Sequence, residues 1–193
     1  MPNYETRSDL FKSLPKNGTI AEVGVLHGGS SALMLECCQP KTMYLVDLWK
    51  DQPRDQYADY RPGYICEDTY KGVLGRFEDE IKAGTIQILR GYSNAMADHI
   101  PDESLDFVYL DADHSHKGCL ADIRKYWYKL KPGGIMAGHD YEDIEWTKET
   151  GKAFKRTPWG VKSAVFEFFQ DDYDGLYEVH VIELPTKNWW VKK

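Results

Sequence analysis

The sequence predicts an α/β fold: a Rossmann-like doubly wound sheet of seven strands, mostly parallel, finished by a C-terminal antiparallel hairpin. Three observations carry this. Short apolar runs alternate with segments of helical period along almost all of the 193 residues. The runs are continuous rather than alternating, as in strands buried on both faces of a parallel sheet. Two of them are followed by irregular connections of unusual length, where open α/β sheets place their ligand loops.

Taken in order, the first run is TIAEVGV (19–25), which carries an acid at Glu22 and breaks into Gly24, Gly28 and Gly29. The ALMLECC that follows reads as a helix. TMYLVDL (42–48) is the second strand, with Asp47 near its end, and residues 49–64 form the first long connection. DTYKGVLGRFEDEIKAG reads as helix, TIQILRG (85–91) as the third strand and LDFVYLD (105–111) as the fourth. In the next helix Leu120, Ile123, Trp127 and Leu130 share one face, and Pro132, Gly133 and Gly134 supply the stop. GIMAGHD (134–140) is the fifth strand, followed by the second long connection, 141–159. After the helical GVKSAVFEFFQ, the runs YEVHVIEL and NWWVK flank Pro185, Thr186 and Lys187 as an antiparallel pair. A single domain over 1–193 is expected. The NWWVK strand either forms the edge of a homodimer or is an ordinary covered edge.

Composition narrows the function. The net charge of −7 argues against nucleic acid and anionic membranes as partners. The opening MPNYETRSDLFKSLP lacks a basic region followed by an apolar core, so no signal peptide is expected, and no run is long enough to span a membrane. Cys37, Cys38, Cys66 and Cys119 form no CxxC pair, which points to free thiols in a reducing, cytoplasmic setting.

The glycine turn excludes ligands as well as suggesting one. A dinucleotide site needs a glycine two positions after the first, where this chain has Leu26, and no Gly-Lys-Ser/Thr follows to make a P-loop. What remains is Glu-x-Gly-x-x-x-Gly opening onto a helix N-terminus, with Ser30 in its first turn. Such a terminus suits a carboxylate. Asp47, 23 residues after Gly24, can accept both hydroxyls of a ribose. A ligand with a ribose and a carboxylate but no pyrophosphate is S-adenosylmethionine.

Here a family resemblance enters. EVGVLHGGSS resembles the first motif of the class I S-adenosylmethionine-dependent methyltransferases, and Asp47 sits where that family's ribose-binding acid sits. LRGYSNAM is similar to its third-strand segment, whose turn, here Tyr92 and Ser93, lies beside the adenine. VYLDADHSH and LKPGGIMAGHDY resemble its fourth and fifth strands. The resemblance implies a cofactor site of Glu22, Gly24, His27, Gly28, Ser30, Asp47, Ser93 and Asp111. Glu22 is expected to orient the turn, and His27 either reaches the methionine moiety or faces solvent.

Within that family the pattern DADHSH…GHDY looks most like the small-molecule O-methyltransferases that include macrolide-sugar and catechol-type enzymes. Many of those bind Mg²⁺ at the matching positions, here Asp111, His139 and Asp140. His139 stands where an acid is more usual, and a histidine is more natural for Mn²⁺ or a transition metal than for Mg²⁺. Three mechanisms stay open: a cation that lowers the pKa of an acceptor hydroxyl, His139 as a metal-free base oriented by Asp140 or Asp111, or proximity alone. One of Asp113, His114 and His116 is expected to touch cofactor or substrate. Asp111, Asp113 or Ser115 could instead cap the helix that follows. Tyr57, Tyr60, Tyr64, Trp146 and Trp159, in the long connections, are candidate walls for a sugar or phenolic ring. The rival functions are a hydroxylase-like relative of the same fold and an inactive cofactor-binding module.

Overall fold

The computed structural model describes residues 4–50, 66–144 and 159–193. The chain opens with a helix, α1 (Arg7–Ser13), that the sequence reading did not anticipate. Thr6 caps it by accepting from the Asp9 amide, while the Asp9 carboxylate accepts from the Thr6 amide, so two orphan N–H groups are satisfied reciprocally. Leu10 and Phe11 on its inner face are fully buried.

There follow β1 (Thr19–Val23), α2 (Gly29–Cys38), β2 (Thr42–Asp47), α3 (Glu67–Arg76), α4 (Glu78–Lys82), β3 (Ile86–Arg90) and the short α5 (Ser93–Met96). Next come β4 (Leu105–Leu110), α6 (His116–Trp127), β5 (Leu130–Gly138), β6 (Asp143–Ile144), β7 (Trp159–Gly160) and α7 (Val161–Phe166). A π-helical turn (Glu167–Asp172) extends α7, and the hairpin strands β8 (His180–Ile182) and β9 (Asn188–Lys192) close the chain.

Seven strands form one sheet in the order β3-β2-β1-β4-β5-β9-β8, while β6 and β7 pair apart from it. The first five are mutually parallel; β9 runs antiparallel to both β5 and β8. The order reverses between β1 and β4, so connections leave in opposite directions there and open a crevice at the carboxyl ends.

Period-two alternation sends neighbours to opposite faces. On β4, Val108 and Leu110 pack with Ile123, Trp127 and Phe169 on one side; Phe107 and Tyr109 pack with Phe11, Met34 and Leu45 on the other. Both faces are covered, which is why the strands read as continuous apolar runs.

Two expectations are corrected. Leu130 belongs to β5, not to the preceding helix: α6 stops at Trp127, and β5 starts ahead of the glycines, with Leu130 opposite Leu105 and Ile135 opposite Phe107. The extra residues bulge out at Gly133, whose φ is +82°. NWWVK, now β9, is not an edge: it lies between β5 and β8, with Trp189 and Trp190 buried. All four thiols are free. No helix among the described residues is long and apolar enough to cross a membrane. Tyr57, Tyr60, Tyr64 and Trp146 lie outside the described residues.

Candidate functional site

The carboxyl ends of β1, β2, β4 and β5 surround a cavity of about 880 Å³, the size of a small-molecule site. One wall is the glycine turn. Gly24 has φ +91°, and a Cβ there would lie 1.9 Å from the Asp111 carbonyl oxygen. Only glycine lets β1 and β4 end this close together. Asp47 ties the turn to β2: its Oδ2 accepts from the Val25 and Leu26 amides at 2.9 Å each, and its Oδ1 accepts from the Trp49 amide at 2.7 Å. Three lone-pair positions of the four are thereby taken, which leaves room for one hydroxyl from a ribose rather than two.

Gly28 adopts the left-handed conformation at the N-cap of α2, and a Cβ on it would meet the Phe77 ring at 2.6 Å. It does not line the cavity; Gly29, Ser30 and His27 do. Glu22 sits in the floor, 1% exposed, and accepts a hydrogen bond from the Ser31 hydroxyl. Burial pushes its carboxyl well above the usual range, and the nearby Asp111 and Asp47 push the same way.

The opposite wall is the turn after β3. The Ser93 hydroxyl donates to Asp122 at 2.5 Å, and the Tyr126 hydroxyl donates to the Ser93 carbonyl at 3.0 Å. Asp122 and Tyr126 stand one turn apart on α6, so a single helix face fixes this turn. Asp122 is almost wholly buried, which raises its pKa to about 7.

At the mouth, the ends of β4 and β5 bring together Asp111, His114, His139 and Asp140. His114 Nε2 lies 3.3 Å from Asp111 and 3.1 Å from Asp140; His139 Nδ1 lies 3.0 Å from Asp140 and 3.8 Å from Asp111. Asp140 is held in the left-handed region at φ +51°, unusual for a non-glycine residue and common at functional sites. Burial works against ionising Asp140, but the hydrogen bond from His114 and the close approach of the His139 ring prevail and hold it far below the carboxylate range. Burial likewise opposes charge on His139, yet Asp140 and Asp111 raise its pKa.

Asp111, His139 and Asp140 each offer a ligand atom, all within 4.8 Å of one another. His139 Nδ1 is buried and, despite its distance to Asp140, makes no aligned hydrogen bond. Its Nε2 lies 2.8 Å from the Thr186 hydroxyl. A nitrogen converging with two carboxylate oxygens, its far side anchored by a hydroxyl, is a donor set that could hold a divalent cation.

The cofactor and metal residues expected from the sequence therefore line one cavity, Gly28 excepted. Ser115 takes the cap of α6, accepting from the Gly118 amide at 3.1 Å, which leaves Asp111 free for the site. Of the trio after β4, His114 enters the cluster and stacks on Trp159, with ring centroids 4.8 Å apart. Asp113 accepts from the Ser115 amide at 2.9 Å, and His116 turns away to Glu167 at 3.0 Å. Sequence reasoning missed Arg7, Asp122 and Thr186. Thr6 and Asp9, three apart, were the one signal that a helix starts at Arg7.

Residues 21–141 match a family described as a methyltransferase domain. The uncharacterised protein R132 of Acanthamoeba polyphaga mimivirus is 22% identical over 166 residues, 82% of this chain and 67% of that one. Solved structures align over nearly the whole chain at low identity. A candidate methyltransferase from Streptococcus mutans in complex with SAH is 13% identical, covering 100% of this chain and 99% of its own at a TM-score of 0.63. A candidate rRNA methylase from Clostridium thermocellum is 13% identical over 100% and 98% at 0.68, and the O-methyltransferase NovP is 17% identical over 99% and 83% at 0.60. At such identities the structures share the fold, while their substrates differ.

Proposed function

The chain belongs to the methyltransferase-domain family, as an S-adenosylmethionine-dependent enzyme, and from that premise we propose that it methylates a hydroxyl of a small molecule with the help of a divalent cation. The observation that carries this reading is the convergence of Asp111, His139 and Asp140 at the cavity mouth. Methyl transfer to oxygen is an in-line displacement that needs alignment and a deprotonated acceptor. A bound cation would supply the second by lowering the pKa of the hydroxyl. Two oxygens and a nitrogen suit Mn²⁺ better than Mg²⁺.

The chain's own residues have separate tasks in this reading. Glu22, Gly24, Ser30 and Asp47 shape the pocket for the cofactor's methionine and ribose, with His27 at its rim and Gly28 bracing the turn from behind. Ser93 faces the adenine. Asp111 stands between cofactor and acceptor, with His139 and Asp140 beyond it. His114 bridges Asp111 and Asp140, so in the absence of a cation its ring satisfies both acids. Trp159, stacked on His114, offers a flat apolar wall to a sugar or phenolic ring.

A nucleic-acid acceptor is the weaker reading. A mouth carrying two carboxylates on a chain of net charge −7 repels phosphates. The test is to offer methyl-labelled S-adenosylmethionine with catechols, phenols and deoxysugars, in EDTA and then with Mn²⁺ or Mg²⁺. Metal-stimulated label on an acceptor oxygen is expected. Label on rRNA alone would overturn the acceptor class, and turnover requiring ferrous iron and oxygen without methyl transfer would overturn the chemistry.

A further inference from the structure

Arg7 is the first residue of α1, and its position is tightly determined. The Thr6–Asp9 capping box fixes the start of the helix. Leu10 and Phe11 are fully buried, with Phe11 edge-on to Phe107 and Tyr109 at 5.7 and 5.4 Å. The guanidinium is thereby delivered into the cavity beside Glu22 and Ser30.

Its contacts there are weak ones. Nη1 lies 3.3 Å from the Ser30 hydroxyl and 3.5 Å from the Tyr109 hydroxyl, both neutral acceptors at long range. Among the described residues no carboxylate comes within 4.0 Å to form an ion pair with it. A guanidinium carries its charge at any pH and offers five N–H donors in a fork that matches a carboxylate. Half-buried charge is costly unless paired, so a guanidinium held only by two neutral hydroxyls is suited to an anion from outside the chain.

The neighbourhood specifies where that anion sits. Asp47 and Asp111 make most of the cavity repellent to negative charge. The exception is the edge where Arg7 meets the first turn of α2, whose Gly29 and Ser30 amides have no intrahelical acceptor. The cofactor has one anionic group, the carboxylate of its methionine part.

We propose that Arg7 is the clamp for that carboxylate, a residue of the N-terminal helix that completes the cofactor site. The inference rests on the cavity being the S-adenosylmethionine site proposed above. Because substrate and demethylated product carry the same carboxylate, the clamp stabilises ground and transition states alike. Its loss therefore shows mainly in KM for the cofactor rather than in kcat.

The test is calorimetric titration of S-adenosylhomocysteine and of its analogue lacking only the carboxylate, 5′-(3-aminopropylthio)-5′-deoxyadenosine, into the full chain and into Arg7→Gln and Arg7→Lys. The intact chain should prefer the carboxylated ligand by about tenfold or more, the worth of a charge-assisted pair. Arg7→Gln should abolish that preference while binding the analogue no more weakly, and Arg7→Lys should keep part of it. Equal affinity of the intact chain for the two ligands would overturn the proposal whatever the variants do. So would an Arg7→Gln variant that weakens both equally, or one that leaves both unchanged and raises only the acceptor KM. Failure of the intact chain to bind either ligand would instead refute the cofactor site itself.

Discussion

The Thr186 hydroxyl lies 2.8 Å from Nε2 of His139, reaching across from the β8–β9 turn to the end of β5. In the tautomer whose Nε2 donates to Thr186, the other ring nitrogen would turn its lone pair toward Asp111 and Asp140, the form a metal ligand takes. The turn is itself tied to the sheet. Asn188 donates to the Thr186 carbonyl at 2.6 Å, and its own carbonyl accepts from the buried Tyr109 hydroxyl at 2.6 Å. The hairpin at the end of the chain thus sets the orientation of a residue in the middle of the site.

Replacing Thr186 by valine keeps the shape and removes the hydroxyl. Mn²⁺ affinity and metal-stimulated turnover should fall roughly 10–100-fold, as is usual for the outer partners of a ligating histidine. Thermal stability should change little, since Thr186 is exposed. Calorimetric metal titration and a melting curve on one sample decide this; unchanged metal affinity would remove Thr186 from the site.

Gly24→Ala should destabilise the fold by roughly 3–5 kcal/mol, because the new methyl meets the Asp111 carbonyl at 1.9 Å on a backbone held at φ +91°. Gly72→Ala is the control. It lies within α3 with nothing within 4 Å of its Cβ position and should stabilise by about 0.5–1 kcal/mol. Urea unfolding of both variants checks the pair of signs.

Asp122 predicts a pH dependence. Burial raises its pKa from 3.8 to about 7 in the folded chain, so folding favours its protonated form. That stabilisation is complete below about pH 4 and is lost as pH rises to 7. Asp122→Asn keeps an acceptor for Ser93 and cannot ionise. Relative to the unaltered protein it should therefore gain roughly 2–3 kcal/mol between pH 5 and pH 8. Urea midpoints at the two pH values report the difference, and a constant offset would mean that Asp122 is ionised throughout.

Trp159→Ala removes the ring stacked on His114. The acceptor KM should rise about tenfold, in keeping with one lost aromatic contact, while S-adenosylmethionine affinity holds. Loss of both would place Trp159 at the cofactor instead.

The sheet was legible because each strand is buried on both faces. Ile20 through Val25 and Leu105 through Leu110 pass from one hydrophobic layer to the other without a polar gap, Glu22 and Asp106 apart. Leu130 misled because three- and four-residue spacing continues by chance beyond the end of α6, and only the pairing with Leu105 reveals the strand. In the site, residues adjacent to a strand end and a glycine turn could be read from local pattern. Arg7, Asp122 and Thr186 could not: each reaches its partner over at least 23 residues of chain, and no local spacing marks such a contact. His114 and His116 are two apart on the sequence, and only where α6 begins decides which one enters the cavity.

The most direct measurement is calorimetric titration of S-adenosylmethionine into EDTA-treated protein, alongside Asp47→Ala and a repeat with Mn²⁺. Micromolar binding that disappears in Asp47→Ala, together with Mn²⁺ heat that disappears in Asp111→Ala, is the expected result. Absence of cofactor heat under every condition would contradict the account at its base. Cofactor binding with no Mn²⁺ heat would contradict the cation and leave a methyltransferase whose hydroxyl chemistry rests on His139 as base or on proximity alone.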